Sequence, residues 1–326
     1  MPRRGGIRAA ARGHYWTVVP YVRGVLFPET VADRPWQITV PGSRGGAIEL
    51  AGALGPSGPA GVDTRDTLVL ILHGLGGSAD STYVLSAAAA AAAAGHAYLR
   101  LSMRGAGDSG RDFYHAGLWA DLAAVLGDPS LARFRRVFVV GFSLGGHVAL
   151  HLACSPDPDP RVAGVVAICS PLDLLLNAHS FDAPSMWLYR RSIVGGLEDI
   201  LARIEDGPRR NFHGIRAWDR EVVVPRWGFE DENHYWTSQS IGPRLGETKR
   251  PFLYVAAEDD PIVPLETVRP HLERARAAQP ELAQVAYVRR GGHVGFPASV
   301  DLGMGLGAGA GLMPQVLAWC EGRSGA

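Results

Sequence analysis

Gly141-Phe142-Ser143-Leu144-Gly145 follows the apolar run Arg136-Val137-Phe138-Val139-Val140 and leads directly into Gly146-His147-Val148-Ala149-Leu150-His151-Leu152. The first run reads as a buried strand and the last as a helix. The five residues between them fit G-x-S-x-G, a turn so tight that the positions flanking the serine must lack side chains. Such a turn lifts Ser143 Oγ above the end of a sheet and leaves the Leu144 N–H where an oxyanion would form. In a chain with 41 glycines the bare pattern carries little, so the reading rests on the strand before it and the helix after it.

Outward from this turn, β-rich and helix-like stretches alternate. Trp36-Gln37-Ile38-Thr39-Val40 and Ala47-Ile48-Glu49-Leu50-Ala51 predict an opening hairpin across the turn residues 41–46, followed by a Pro- and Gly-rich loop over 55–61. Four near-continuous apolar runs, at 67–72, 97–103, 137–140 and 162–169, lack alternation, as parallel strands covered on both faces do. Helices are expected between them at about 79–94, 113–127 and 144–154, the first built on the alanine run Ala87–Ala94. This rhythm predicts an α/β fold with a mostly parallel, doubly wound sheet. It breaks at about residue 177 and resumes at Pro251, with a strand at 252–257, a helix near 265–278, a strand at 284–288 and a last helix near 313–321. The intervening 177–247, which holds Trp187, Trp218, Trp227 and Trp236, reads as a helical cap or lid insertion. The core is then 31–176 with 248–326, residues 1–30 form a flexible N-terminal arm, and the Gly/Ala stretch 303–311 is a mobile loop.

Composition narrows the partners. The chain of 326 residues is 47% hydrophobic and 20% charged with a formal net charge of +0, so neither nucleic acid nor an anionic membrane is called for by charge. No apolar run spans a bilayer, and the basic N-terminus lacks a signal-peptide core. Cys154, Cys169 and Cys320 have no metal or paired-disulfide spacing, which points to a reducing, cytoplasmic setting.

A serine hydroxyl needs a base in hydrogen-bond reach and an acid to orient that base, and after an elbow of this kind the chain order is serine, acid, histidine. Of 11 histidines, only His271 and His293 lie beyond the strand at 252–257. His271 sits in a charged helical segment and reads as a surface residue. His293 follows a strand through Gly291-Gly292, which free the loop to carry an imidazole across the strand ends, and is the expected base. Asp260, just before Pro261-Ile262-Val263-Pro264, is the expected acid. Its neighbour Asp259 is the alternative, and Asp173 is a positional fallback that reads first as a helix cap. The loop His73-Gly74-Leu75-Gly76-Gly77-Ser78 offers the Leu75 N–H as second oxyanion donor, with His73 ordering that loop. Gly105-Ala106-Gly107-Asp108-Ser109-Gly110 fits G-x-G-x-x-G, but no acidic residue ends a strand about 20 residues on. It is expected to be a tight loop in which Arg104 and Asp108 pair. No phosphate-loop or metal spacing occurs, so no cofactor and no metal are expected.

These blocks, with Tyr114-His115-Ala116-Gly117-Leu118, Ser170-Pro171-Leu172-Asp173-Leu174 and Gly291-Gly292-His293-Val294-Gly295-Phe296, resemble the α/β-hydrolase superfamily, and more narrowly its YheT-like branch of esterases and lipid hydrolases. The resemblance implies the α/β-hydrolase fold with a helical cap, a Ser143, Asp260, His293 triad and hydrolysis of carboxylic esters. The expected activity is a serine esterase for short to medium acyl chains acting on a small-molecule ester or lipid. The alternatives are a phospholipase or monoacylglycerol lipase, or a catalytically silent ligand-binding member. The cap's aromatics would line an acyl pocket or simply form the lid's core.

Overall fold

The computed structural model describes residues 4–56, 65–205 and 210–323, so most of the Pro- and Gly-rich loop expected at 55–61 lies outside the described residues. In chain order the elements are α1 (Arg4–Leu26), β1 (Arg34–Pro41), β2 (Ala47–Gly55), β3 (Thr67–Leu72), α2 (Thr82–Ala93), β4 (Ala97–Leu101), α3 (Ala120–Leu126), β5 (Arg136–Phe142), α4 (Leu144–Ala153) and β6 (Val162–Ile168). Then come α5 (Leu174–Phe181), α6 (Trp187–Glu205), α7 (Ile215–Trp218), α8 (Val224–Trp227), α9 (Glu232–Gln239), β7 (Phe252–Ala257), α10 (Leu265–Ala278), β8 (Ala283–Val288) and α11 (Leu312–Gly322).

One eight-stranded sheet runs in the order β1-β2-β4-β3-β5-β6-β7-β8. The first two pairings, β1 with β2 and β2 with β4, are antiparallel, and every later one is parallel. Alternate residues of β3 enter two separate cores, which explains its unbroken apolar run. Leu68, Leu70 and Leu72 pack with Leu122, Val148 and Leu272 on one face. Val69 and Ile71 pack with Ala87, Ala91, Val316 and Trp319 on the other. The alanines of α2 bring that helix close to the sheet, and Ala87, Ala88 and Ala91 are fully buried.

Between β6 and β7 the described elements are all helical. Trp218 and Trp236 are fully buried there, and Trp236 Nε1 donates to Asp219 Oδ2 at 2.7 Å. A buried ion cluster ties α8 to the loop after β4 and to α3. Arg104 Nη1 and Nη2 meet Asp112 at 2.8 Å and Asp121 at 2.6 Å, and Arg226 of α8 meets Asp112 at 3.0 Å. Burial alone would raise the Asp112 carboxyl. Bonds from Ser43, the Phe113 N–H and Arg104 outweigh it and bring Asp112 down to about 2. The expected pairing of Arg104 with Asp108 is therefore corrected: Asp108 is exposed, and the two buried aspartates further along take the guanidinium.

The largest difference from expectation is at the N-terminus, where the supposed flexible arm is the 23-residue helix α1. It packs on the loops after β7 and β8 and on the start of α2 through small residues. Added side-chain carbon would run into Asp259 at Gly13 and into Thr82 at Gly24, so both contacts require glycine. Among the described residues no helix is long and apolar enough to cross a membrane.

Candidate active site

Ser143 sits between the C-terminal end of β5 and the first turn of α4 with φ 50° and ψ −121°, a left-handed conformation costly for a residue with a Cβ. The surroundings impose it. A side chain at Gly141 would strike the Gly145 backbone, and one at Gly145 would strike the His73 carbonyl. The Ser143 N–H donates to Ile168 O at 2.8 Å, and the serine carbonyl accepts from the Gly146 N–H at 3.0 Å, so the turn is held from both sides.

The loop after β3 lies against this turn. A Cβ at Gly74 would stand 3.1 Å from Ser143 Cβ. Two phenols, of half-buried Tyr83 and buried Tyr114, occupy the neighbouring amides: Gly74 N–H donates to Tyr83 Oη at 2.9 Å and Gly76 N–H to Tyr114 Oη at 2.8 Å. Burial raises both hydroxyls above the ordinary tyrosine value, so they stay protonated. The Leu75 N–H between them has no hydrogen-bond partner among the described residues. Neither does the Leu144 N–H, the first amide of α4. His73 orders this loop: its Nε2 accepts from the Met103 N–H at 2.9 Å, and its Nδ1 lies 2.7 Å from Gly74 O. Desolvation lowers the His73 ring to about 4, which fixes it neutral with the proton on Nδ1.

The structure brings His293 and Asp260 together. His293 Nδ1 lies 3.0 Å from Asp260 Oδ2 and 3.2 Å from Oδ1, both groups being buried. Asp260 Oδ1 also accepts from the Ile262 and Val263 N–H groups at 2.8 and 3.0 Å, so the turn after β7 anchors the carboxylate. A carboxylate facing Nδ1 selects the tautomer of the neutral ring that carries its proton on Nδ1 and offers Nε2 as acceptor. Asp259, the alternative acid, is instead committed to Arg12 of α1. Asp173 caps α5 by accepting from the Leu176 N–H at 2.9 Å. His271 departs from its expected surface position: it is buried in α10, where Arg274 meets its Nδ1 at 2.8 Å and Asp173 lies 3.9 Å from Nε2.

Helix α1 contributes contacts that no motif announces. Thr17 Oγ1 accepts from the His293 N–H at 2.8 Å and donates to Gly13 O at 2.8 Å. His14 Nδ1 meets Tyr189 Oη of α6 at 2.7 Å, with the rings stacked. Pro20 lacks the N–H that would bond Trp16 O, and a side chain at Gly295 would strike that carbonyl. The loop carrying His293 is thus held between β7 and α1, and the next residue, Val294, is strained at φ 53°.

Ser143, His293 and Leu75 line one cavity of about 1320 Å³. Its walls also include α1, through residues such as Val18, Tyr21 and Val22, and α6, through Leu188, Ile193 and Ile200. The tryptophans of 177–247 are absent from this lining, and Trp218 and Trp236 belong to the core shared with the sheet, where Trp218 packs on Phe113 with ring centroids 4.8 Å apart. Among the described residues no cluster of His, Cys, Asp or Glu is arranged to hold a metal.

Comparison with known proteins agrees with this architecture. The chain is 23% identical over 261 residues to the embryogenesis-associated protein EMB8 of Picea glauca, covering 73% of this chain and 55% of that protein. It is 25% identical over 233 residues to the medium-chain fatty acid ethyl ester synthase/esterase 2 of Saccharomyces cerevisiae, covering 60% of this chain and 51% of that one. The chain therefore spans about half the length of these curated relatives. The esterase PF2001 of Pyrococcus furiosus superposes with a TM-score of 0.54 at 18% identity, covering 82% of this chain and 89% of that one, a likeness of fold. The "Alpha/beta hydrolase family" pattern matches residues 69–301, from β3 through the loop that carries His293, and the chain belongs to that family.

Proposed function

We propose that this chain is a serine hydrolase of carboxylic esters, in the YheT-like branch of its family, working through an acyl-enzyme on Ser143. Ser143 Oγ attacks the ester carbonyl while His293 Nε2 takes its proton. The resulting imidazolium is stabilised by Asp260 and protonates the departing alkoxide. Water then gives a proton to Nε2 and attacks the acyl carbonyl, releasing the acid and restoring the serine. The Leu75 and Leu144 N–H groups hold the oxyanion, each contributing about 3 kcal/mol in sites of this type.

The observation that carries the reading is the sharing of one cavity by a serine on a left-handed turn and a histidine bonded through Nδ1 to a buried aspartate. Its size favours a second reading within the same chemistry. At about 1320 Å³ the cavity exceeds the roughly 300–1,000 Å³ of ordinary small-ligand sites, which extends the expected short to medium acyl range toward monoacylglycerols and phospholipids. Graded p-nitrophenyl esters and a fluorophosphonate probe test both. Wild-type protein is expected to hydrolyse and be labelled, with rates maintained into long acyl chains, and Ser143→Ala to do neither. Equal rates from the two proteins would refute the nucleophile.

A further inference from the structure

Helix α1 is built inside out. Its packed face consists of Gly13, Thr17, Pro20 and Gly24, four small or polar residues at helical spacing. Its opposite face carries Tyr15, Val19 and Leu26, with Phe27 following, 40 to 74% exposed, and beside them Val18, Val22 and Val25, 38 to 55% exposed, which also line the cavity. A surface helix ordinarily turns such a stripe toward the core. The patch continues onto α6, where Trp187 and Leu188 are 58 and 53% exposed and Tyr189 is tied to His14. Contiguous apolar surface of this kind marks an interaction site.

Charge and position choose the occupant. Between Arg4 and Leu26 the helix contains arginines and no acidic residue, and the exposed Arg8 and Arg23 border the apolar stripe. An apolar face edged by arginine suits the headgroup boundary of an anionic phospholipid layer. The same helix forms part of the cavity wall through Val18, Tyr21, Val22 and Val25, so whatever covers its outer face lies beside the cavity holding Ser143. We propose that α1, with Trp187 and Leu188, docks this protein on an anionic lipid surface and delivers lipid esters from that surface into the cavity. The delivery rests on the ester reading above, whereas the docking is separately measurable.

Flotation with vesicles of phosphatidylcholine, alone or with about one third phosphatidylglycerol, tests it. The wild type is expected to float with the anionic vesicles and to bind neutral ones, or anionic ones in about 1 M salt, roughly tenfold less. The double variant Leu26→Glu/Phe27→Glu, at positions off the cavity wall, should lose about tenfold or more of its partitioning, because each change removes apolar burial and adds repulsion. It should keep its melting temperature and its rate on a water-soluble ester. Ser143→Ala should float like its parent, since binding requires no turnover, so failure of the ester reading would leave the docking result standing. A wild type that ignores anionic vesicles, or a double variant that floats as well as its parent, overturns the proposal. So does a lipid-indifferent wild-type dimer that the double variant converts to monomer, for then a second copy covers the face.

Discussion

Replacing Thr17 by valine, nearly the same shape, removes one oxygen that accepts from the His293 N–H and donates to Gly13 O, each at 2.8 Å. The loop amide is left without its acceptor beside a buried imidazole, at a cost of about 1–3 kcal/mol. The cost falls mainly on the loop and on α1, because the two sheet cores contain no residue of α1. If 1–2 kcal/mol of it is lost in the transition state, where His293 must stay seated, kcat drops about 5- to 30-fold. Substrate still meets the same cavity wall, so KM should move less than kcat. Thr17→Ser keeps the oxygen and should recover most of the rate, which a purely steric role for Thr17 would not allow. The assay is steady-state hydrolysis of a soluble p-nitrophenyl ester by the three proteins, with thermal melts alongside. A Thr17→Val enzyme within twofold of the wild type, or a Thr17→Ser enzyme as impaired as the valine variant, refutes the reasoning.

Asp260→Asn is expected to lower kcat by about 10⁴, because the amide favours the wrong ring tautomer at His293, whereas Asp259→Asn should cost only the Arg12 contact and stay within about tenfold. Equal losses in the two would remove the distinction between these neighbours. Asp219 lies under Trp236, and burial raises its carboxyl to about 7. A raised acid stabilises the fold fully at a pH below the unfolded value and loses that stability as pH rises through the folded value. Asp219→Asn should therefore be more stable than the wild type near pH 8, with the advantage vanishing near pH 4. Chemical denaturation at the two pH values measures this, and a pH-independent difference would contradict it.

The parts of the fold legible in the sequence are those whose physics is local. Burial on both faces makes β3, β5 and β6 nearly continuous apolar runs, and β4 is broken only by Arg100, which is paired with Asp33 and Asp80. The turn at Ser143 announces itself because Gly141 and Gly145 have no room for side chains. His293 was legible for a similar reason, since two glycines after a strand allow a loop to fold back over the sheet edge. What was not legible depends on partners remote in the chain. The position before Pro261-Ile262-Val263-Pro264 favours Asp260 over Asp259, but the contact that occupies Asp259, with Arg12 247 residues away, is not legible in the sequence. Arg104 likewise finds Asp112 and Asp121 because they are buried beside it, while the nearer Asp108 stays in water.

Helix α1 escaped a reading by periodicity for a different reason. Periodicity detects an apolar stripe and assigns it to the core, but here the stripe faces outward and the packed face is glycine, threonine and proline. Such a segment carries too little core-facing hydrophobicity to be distinguished from a loose arm. Small residues do what larger ones would prevent: they bring the α1 backbone close enough for Thr17 to reach the amide of His293, 276 residues away. The cost is an apolar exterior that water solvates poorly. One helix therefore links the geometry of the candidate base to an apolar surface that runs from the cavity wall outward, so displacing it should alter catalysis and surface binding together.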